Sequence, residues 1–305
     1  MDYTAYPCSF NSGNSDENPE IMRWLSPLDS RRGYQDVRTE RLDDVGNSHL
    51  ETNEFREWRS GEGGVDKAVL FCYGSPGVGK TFLRQVTGVP ERRKRGLSLT
   101  SNISSLVIDR LYDEAGGGDI AVAGFYCDFR NQDEQTTTNI IGAILKQLVA
   151  REDMLEHVRT AFKKAKQELG GRGLRLPDMV QMVKRAVATL PQVFICIDAL
   201  DQCLSKYLSE LLGSLRDILQ ESPRMRIFVT GRPHVEVEII RHFAAAIIVP
   251  ISPSAHEIRR YLEKKLEKDT MRDAMSDDLR ADILRIIPER ISEMCVEAFT
   301  VPTLC

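Results

Sequence analysis

The stretch that decides the fold is residues 71–81, Phe-Cys-Tyr-Gly-Ser-Pro-Gly-Val-Gly-Lys-Thr. It contains the pattern Gly-x-x-x-x-Gly-Lys-Ser/Thr, formed here by Gly74, Ser75, Pro76, Gly77, Val78, Gly79, Lys80 and Thr81. Glycines let successive backbone N–H groups turn toward one anion, and the N-terminus of the helix that follows adds its positive dipole end. The apolar run at 68–73 predicts a buried strand just before the loop. The sequence therefore predicts a phosphate-binding loop for a nucleoside triphosphate.

The motif assigns a role to each of its last two side chains. Lys80 is predicted to reach the β- and γ-phosphates, and the hydroxyl of Thr81 is predicted to ligate Mg²⁺. We expect all of residues 74–81 to contact the nucleotide. Nothing in the loop specifies the base, so ATP and GTP remain alternatives, with Mg²⁺ as the metal.

Two carboxylates follow another apolar run. Residues 192–197 predict a strand that ends at Asp198, at the sheet edge where ligands bind in open α/β folds. Asp198 is the predicted magnesium carboxylate, acting through a bound water. Asp201 is predicted to polarise the attacking water, and its alternative role is to cap the helix predicted at 204–219.

A further strand, predicted at 226–230, ends in Gly231-Arg232-Pro233. Arg232 follows the strand end, where a cation could contact the γ-phosphate and report its hydrolysis. We therefore predict Asp201 and Arg232 as the catalytic residues of a weak nucleoside triphosphatase.

The chain alternates between apolar runs and amphipathic segments. The five predicted strands are 68–73, 120–127, 192–197, 226–230 and 246–249. Their near-continuous apolar character is typical of parallel strands that are covered on both faces. Leucine and isoleucine stripes at 140–149 and 204–219 predict helices that face this core. The pattern predicts an α/β fold with a parallel sheet flanked by helices, as in P-loop NTPases of the ASCE type.

Composition divides the chain into four parts, which are a disordered tail at 1–20, a lead-in linker at 21–64, the NTPase core at 65–250 and a helical segment at 251–305. Trp24 and Trp58 flank the lead-in. We expect them to dock it on the core, and the alternative is that the lead-in packs near the nucleotide base. In the last part, Ser254 and Glu257 predict a capping box, and a helix from about Asp277 is expected to end at Pro288.

Residues 84–103 interrupt the helix expected after the phosphate loop. Gly88 and Pro90 fall within two turns of its start and break it. Joining Leu83 directly to Ser104 restores one amphipathic helix, so we predict that 84–103 is a surface insertion, either genuine or a gene-model artefact. The basic run at 92–95 leaves a nuclear-localisation or anion-binding loop as the alternative.

Charge and composition limit the partners. The 305 residues carry a net charge of −4, which gives no general attraction to nucleic acid or to a membrane surface. No apolar run approaches the length that spans a bilayer, and no secretory signal is visible. The seven cysteines lack metal-ligand spacing. We therefore expect an intracellular, cytoplasmic protein in a reducing compartment.

Three segments together resemble the Walker A, Walker B and sensor-1 motifs of NACHT NTPases, which are signal-transduction NTPases with numerous domains (STAND). These segments are 74–81, 194–202 and 229–233. The lead-in is similar to that of the nephrocystin-like subgroup, which is abundant in filamentous fungi, through Trp24-Leu25-Ser26-Pro27-Leu28, Gly46, Leu50 and Phe55-Arg56-Glu57-Trp58.

The resemblance covers about residues 21–290 and implies an NLR-like switch, with a role in signalling or non-self recognition, that hydrolyses ATP or GTP slowly. The chain departs from the family pattern at Ser48, where an aromatic is usual, and at Gln202, where Glu is frequent. It also ends before the winged-helix or repeat domains that such switches carry, so we interpret 251–305 as a truncated helical segment.

Other classes of nucleotide-binding protein fit less well. A Ras-type GTPase would need an Asn-Lys-x-Asp motif, and an ABC ATPase would need Leu-Ser-Gly-Gly-Gln; the sequence has neither. A small-molecule kinase is disfavoured because no acceptor-site or lid motif is evident. A nucleotide-binding scaffold without turnover remains the alternative, because Gln202 leaves one acidic candidate fewer.

Overall fold

A five-stranded parallel sheet forms the centre of the chain in the computed structural model, which describes residues 18–41, 46–74, 99–115, 120–149, 152–167, 174–251, 254–268 and 276–300. The strands are β1 (Val69–Gly74), β2 (Ile120–Tyr126), β3 (Gln192–Asp198), β4 (Met225–Gly231) and β5 (Ile247–Ile251). They lie in the order β2-β3-β4-β1-β5, and each neighbouring pair is parallel. All five predicted strands are present, and the predicted α/β fold class is confirmed.

The strand order brings the candidate motifs to one edge. Strand β4 lies between β1, which leads into the predicted phosphate loop, and β3, which ends at Asp198. In the register, Cys72 lies opposite Thr230 and Ile197 lies opposite Val229. The carboxyl ends of the three strands therefore meet at the edge where open α/β folds bind ligands.

Helices cover both faces of the sheet and continue beyond it. Their bounds are α1 (Asn18–Leu25), α2 (Ser30–Glu40), α3 (Asn47–Leu50), α4 (Asn53–Ser60), α5 (Leu99–Glu114), α6 (Thr137–Leu148), α7 (Glu152–Gln167), α8 (Leu176–Ala188), α9 (Ser205–Gln220), α10 (Glu236–His242), α11 (Ala255–Lys268) and α12 (Asp277–Thr300). Helices α1, α6, α7, α8, α9 and α10 share one apolar core, and α2, α4 and α5 share the core on the opposite face. Successive strand residues such as Ile195 and Cys196 point to opposite cores.

The lead-in segment is docked on the sheet by Trp58. Its ring is fully buried, and its Nε1 donates to the carbonyl oxygens of Ala68 and Ile227, each at 3.1 Å. Gly61 ends α4 at a φ of +77°, where a Cβ atom would lie 2.2 Å from Arg226 Nη2. Trp24 packs edge-on against Phe162. Both tryptophans thus dock the lead-in on the core.

Two element boundaries differ from the prediction near the start of the core. Helix α1 begins at Asn18, inside the segment predicted as tail, and α5 begins at Leu99, inside the predicted insertion 84–103. The predicted start at Ser104 rested on the amphipathic helix that joining Leu83 to Ser104 would restore, whereas α5 begins five residues before Ser104. Residues 84–98 and 1–17 lie outside the described residues, so the rest of both predictions stays a prediction.

The helix at the C-terminal end does not stop at Pro288. Helix α12 runs through this residue to Thr300. A proline lacks the N–H that would bond the carbonyl four residues earlier. That carbonyl belongs to Leu284, and it accepts a hydrogen bond from Arg259 Nε of α11 at 3.4 Å instead. The neighbouring helix therefore supplies the missing donor, and the expected end at Pro288 was wrong.

The predicted capping box at the start of α11 is present. The backbone N–H of Glu257 donates to Ser254 Oγ at 3.2 Å, and the backbone N–H of Ser254 donates to Glu257 Oε2 at 2.9 Å. The other carboxylate oxygen of Glu257 accepts from the backbone N–H of Gly46 in the lead-in at 2.7 Å. The Ser254 hydroxyl also donates to Glu257 Oε2 at 2.9 Å. The carboxylate thus accepts from the backbone N–H groups of Ser254 and Gly46 and from this hydroxyl, and these bonds outweigh its burial and hold the pKa of Glu257 below the usual range. The capping residue thus also connects α11 to the lead-in.

Candidate functional site

Asp198 is the centre of the site. It ends β3, is 3% exposed, and accepts hydrogen bonds from three hydroxyl groups. Its Oδ1 accepts from Ser104 Oγ and from Thr230 Oγ1, both at 2.6 Å. Its Oδ2 accepts from Ser101 Oγ at 2.8 Å. The carboxylate is therefore fixed in orientation by its neighbours on α5 and β4.

The hydroxyl donors reach Asp198 because of the way α5 packs. Ser101 and Ser104 are three residues apart, so they lie on one face of the helix, directed toward the sheet edge. Thr230 stands beside Asp198 on the neighbouring strand, and its Oγ1 also accepts from the backbone N–H of Ala199 at 3.0 Å. Ser104 and Thr230 are almost completely buried, whereas Ser101 is partly exposed.

The charge of Asp198 is not balanced by a basic side chain among the residues that the structure describes. All of its hydrogen-bond donors there are neutral hydroxyls. Tyr126 lies opposite Asp198 on β2, and burial together with the charge of Asp198 raises the pKa of the Tyr126 hydroxyl well above its usual value. A buried carboxylate in neutral surroundings is an energetically costly group that a bound cation would stabilise.

Asp201 has a different environment from Asp198. Its side chain is 7% exposed, and its Oδ2 lies 3.1 Å from Arg232 Nε. The same oxygen accepts from Gln202 Nε2 at 2.8 Å. The structure thus brings together the two residues predicted to be catalytic. Asp201 does not cap α9, because the N-cap position belongs to Leu204 and carries no side-chain cap.

The turn that carries Asp201 is held by polar contacts on both sides. Ala199 adopts a φ of +54°, which is uncommon for a residue with a Cβ atom. The backbone N–H of Ala199 donates to Thr230 Oγ1. On the other side of the turn, Gln132, from the loop after β2, donates from its Nε2 to the carbonyl oxygen of Gln202 at 2.7 Å. These contacts stabilise a strained turn next to Asp198.

The predicted site residues fall into two groups. Gly74, Asp198, Asp201 and Arg232 lie at the carboxyl edge of the sheet. Ser75, Pro76, Gly77, Val78, Gly79, Lys80 and Thr81 lie outside the described residues, so their predicted contacts stay predictions.

Sequence reasoning did not identify Ser101, Ser104 or Thr230. The run Thr-Ser-Asn-Ile-Ser-Ser at 100–105 and the threonine at a strand end were the signals that could have pointed to them.

A family model supports the resemblance inferred from the motifs. Residues 100–232 match the model described as nephrocystin 3, N-terminal. The matched range begins in α5, includes Asp198 and Asp201, and ends at Arg232. The predicted resemblance to the nephrocystin-like group is thereby confirmed over this part of the chain. No curated protein matches the sequence.

The chain is similar to several solved structures at low sequence identity and with TM-scores below 0.5. A Walker-type ATPase of Pyrococcus abyssi is 13% identical with a TM-score of 0.38, over 82% of this chain and 71% of that one. The ORC1 protein of Aeropyrum pernix, in complex with DNA, is 19% identical with a TM-score of 0.41, over 74% and 55%. Cdc6p from Pyrobaculum aerophilum is 14% identical with a TM-score of 0.38, over 86% and 57%. The chain thus spans little more than half of the last two proteins, and similarity at this level supports no statement about function.

None of the described helices combines the length and the apolar character that crossing a bilayer requires.

Proposed function

We propose that this chain is a nucleotide-binding signalling switch of the NACHT type, which binds ATP or GTP with Mg²⁺ and hydrolyses it slowly. The observation that carries the proposal is the buried carboxylate of Asp198. Among the described residues, its hydrogen-bond donors are all neutral hydroxyls. Asp198 lies at the sheet edge where β1 enters the phosphate-loop sequence 74–81. A magnesium ion brought by a triphosphate would supply the balancing charge.

The other residues take roles that their chemistry allows. Lys80 and the backbone N–H groups of 74–81 bind the phosphates. Asp201 orients the attacking water, for which it has a second carboxylate oxygen besides the one that meets Arg232. Arg232 is tethered to Asp201 through its Nε, and its side chain is 54% exposed, so its terminal nitrogens are accessible to a phosphate.

The Asp201–Arg232 pair supplies a basis for switching. A γ-phosphate would attract Arg232 more strongly than one carboxylate does, because it carries more negative charge. Binding and loss of the γ-phosphate would therefore shift Arg232 and the segment that follows it, 233–242. In the proposed role, this shift changes the affinity for a protein partner, such as a signalling partner or a second copy of the chain, inside the cell.

A second candidate is a nucleotide-binding scaffold without turnover. Two observations favour it. Gln202 stands next to Asp201 in place of a second acidic residue, and one oxygen of Asp201 already accepts from both Gln202 and Arg232. A carboxylate with fewer available lone pairs is a weaker base for water.

The first experiment tests binding through Lys80. The variant Lys80→Ala removes the cation predicted to meet the β- and γ-phosphates, so we expect its affinity for Mg·ATP or Mg·GTP to fall by about 100-fold or more. Isothermal titration measures this, with circular dichroism to check that the fold is intact. Lys67→Ala is the matched control, because Lys67 is exposed and pairs with Glu57 before β1.

The outcomes separate the candidates. Undiminished affinity in Lys80→Ala would remove the central claim that residues 74–81 bind the phosphates. Tight binding by the parent without phosphate release over hours would favour the scaffold instead of the slow hydrolase.

A further inference from the structure

Helices α11 and α12 form a pair with a small apolar core of its own. The buried members of this core are Ile258, Leu262, Leu266, Ile283 and Ile287, which belong to neither of the two cores that flank the sheet. Apolar packing therefore holds these two helices to each other. A contact outside this small core connects the pair to the lead-in segment.

Glu257, in the first turn of α11, makes this connection. The residue is 8% exposed, and its two carboxylate oxygens have different partners. Oε2 accepts from the backbone N–H and the hydroxyl of Ser254, which are the contacts of the capping box. Oε1 accepts from the backbone N–H of Gly46 at 2.7 Å. Capping of α11 uses Oε2, so the bond from Oε1 to the lead-in is additional to the capping role.

Gly46 is in turn packed directly on α5. It adopts a φ of +98°, and a Cβ atom at this position would lie 3.0 Å from Ile103 Cγ1 and 3.2 Å from Leu106 Cδ1. Both of these side chains on α5 are buried. The backbone of Gly46 thus contacts α5 without a side chain between them, which glycine permits. Because such interiors are closely packed, a displacement of Gly46 would be transmitted to α5.

The turn of α5 that Gly46 contacts also carries a residue of the candidate site. Ser104 follows Ile103 directly, is 1% exposed, and donates its hydroxyl to Asp198 Oδ1 at 2.6 Å. The strength of a hydrogen bond depends steeply on distance and angle. The position of α5 therefore helps to determine the orientation of the Asp198 carboxylate.

We infer that Glu257 is a positioning residue of the candidate site, which holds α5 through Gly46 so that Ser104 orients Asp198. This inference rests on the proposed function, because the site it serves is the one assigned there to the nucleotide and its metal. It gives the helix pair α11–α12 a physical route to Asp198 that runs through the lead-in segment.

Hydrogen exchange of the protein without nucleotide tests the positioning of α5 directly. Glu257→Ala removes the acceptor of the Gly46 N–H, so we expect the backbone amides of 103–108 to exchange about 10-fold faster. The amides of α8, which packs on the opposite face of the sheet, should keep the parental rate and exclude general destabilisation.

Ser254→Ala is the matched control for helix capping. It removes the hydroxyl of the same capping box and leaves the bond between Glu257 and Gly46 in place. We expect faster exchange in the first turn of α11 and the parental rate in α5. Equal acceleration of α5 in Ser254→Ala and Glu257→Ala would show that Glu257 acts only as a cap, which contradicts the inference.

Gly46→Ala disturbs the same route from its other end. The added Cβ atom would crowd Ile103 and Leu106, and the positive φ is unfavourable for alanine, whereas the contacts of Ser254 with Glu257 are not altered directly. We expect the amides of 103–108 to exchange faster in this variant as well. Parental exchange of α5 in either Glu257→Ala or Gly46→Ala would overturn the inference.

Nucleotide titration with and without Mg²⁺ tests whether the site responds to the change in α5. Glu257→Ala should lose about 3- to 10-fold of the affinity that Mg²⁺ adds, because Ser104 then orients Asp198 less well, and Ser254→Ala should retain this affinity. Faster exchange of α5 together with a full effect of Mg²⁺ would mean that the contact is merely structural, and Glu257 would not be a positioning residue.

Failure of the proposed function gives a different result. The parent itself would then show no nucleotide affinity that depends on Lys80, while the exchange of α5 would still respond to Glu257→Ala.

Discussion

Two carboxylates, three residues apart at the end of β3, differ in the partners that compensate their charge. Asp198 is surrounded by the hydroxyls of Ser101, Ser104 and Thr230, which stabilise its orientation without cancelling its charge. Asp201 is contacted by the guanidinium of Arg232, which does cancel the charge. Because a buried charge without a counter-ion is costly, the first carboxylate is suited to a metal and the second is already paired.

The difference predicts separate functional consequences for the two residues. A residue whose charge is completed by Mg²⁺ should determine how strongly the metal supports nucleotide binding. A residue whose charge is shared with Arg232 should instead influence the step in which the γ-phosphate leaves. Substitution of each carboxylate by its amide removes the charge at nearly constant size, and it replaces one acceptor oxygen by an NH₂ donor.

The largest effect is expected for Asp201→Asn on turnover. The amide cannot accept the proton of the attacking water as the carboxylate can, so hydrolysis should fall by about 100- to 10,000-fold while triphosphate affinity is retained. Phosphate release under single-turnover conditions measures the rate, and titration measures the affinity. Asp217→Asn, on the exposed surface of α9, is the control for loss of one aspartate. Hydrolysis at the parental rate would show that Asp201 serves only as the partner of Arg232.

A smaller effect is expected for Asp198→Asn, and it concerns the nucleotide affinity that Mg²⁺ adds instead of the rate of hydrolysis. Without its charge, the site should lose about 10- to 100-fold of the affinity gain that Mg²⁺ provides, and binding in the presence of a chelator should change little. The measurement is nucleotide titration across Mg²⁺ concentrations. An equal loss with and without Mg²⁺ would indicate a damaged phosphate site and would contradict the distinction between the two carboxylates.

The strands and the carboxylates could be predicted because their signals are local. Each strand coincides with an apolar run, and a parallel sheet covered on both faces requires such runs on strands like β3 and β4. Asp198 ends β3 and Arg232 directly follows β4, so their position at the ligand-binding edge follows from the chain direction in a parallel sheet.

The hydroxyl cluster could not be predicted, because it depends on the register of α5. The segment between Thr81 and Ser104 interrupts the helical pattern, so the sequence does not indicate which residue begins α5. Serine is also too common for its presence to indicate a contact. Likewise, the helix through Pro288 depends on Arg259 of another helix, which donates to the carbonyl of Leu284. Both features require distant parts of the chain to be brought together.

The smallest expected effect is the coupling between Asp201 and Arg232 in the folded protein itself. The side chain of Arg232 is 54% exposed, so solvent screens the pair and it should contribute about 1 kcal/mol to the free energy of unfolding. A double-mutant cycle of Asp201→Asn and Arg232→Gln, followed by urea unfolding, measures this coupling. The exposed pair Arg175–Asp178 at the N-terminal end of α8 is the control, for which we expect a smaller value.

The size of that coupling bears directly on switching. A value of about 1 kcal/mol holds Arg232 on Asp201 most of the time but lets a γ-phosphate, which carries more charge, attract it. The coupling should decrease when salt is raised, since the pair is partly exposed. A coupling of zero would mean that Arg232 does not rest on Asp201 in solution, and the two carboxylates would then differ only in their neutral neighbours. A coupling of several kcal/mol would make the pair too stable for a phosphate to displace, which would favour the scaffold over the switch.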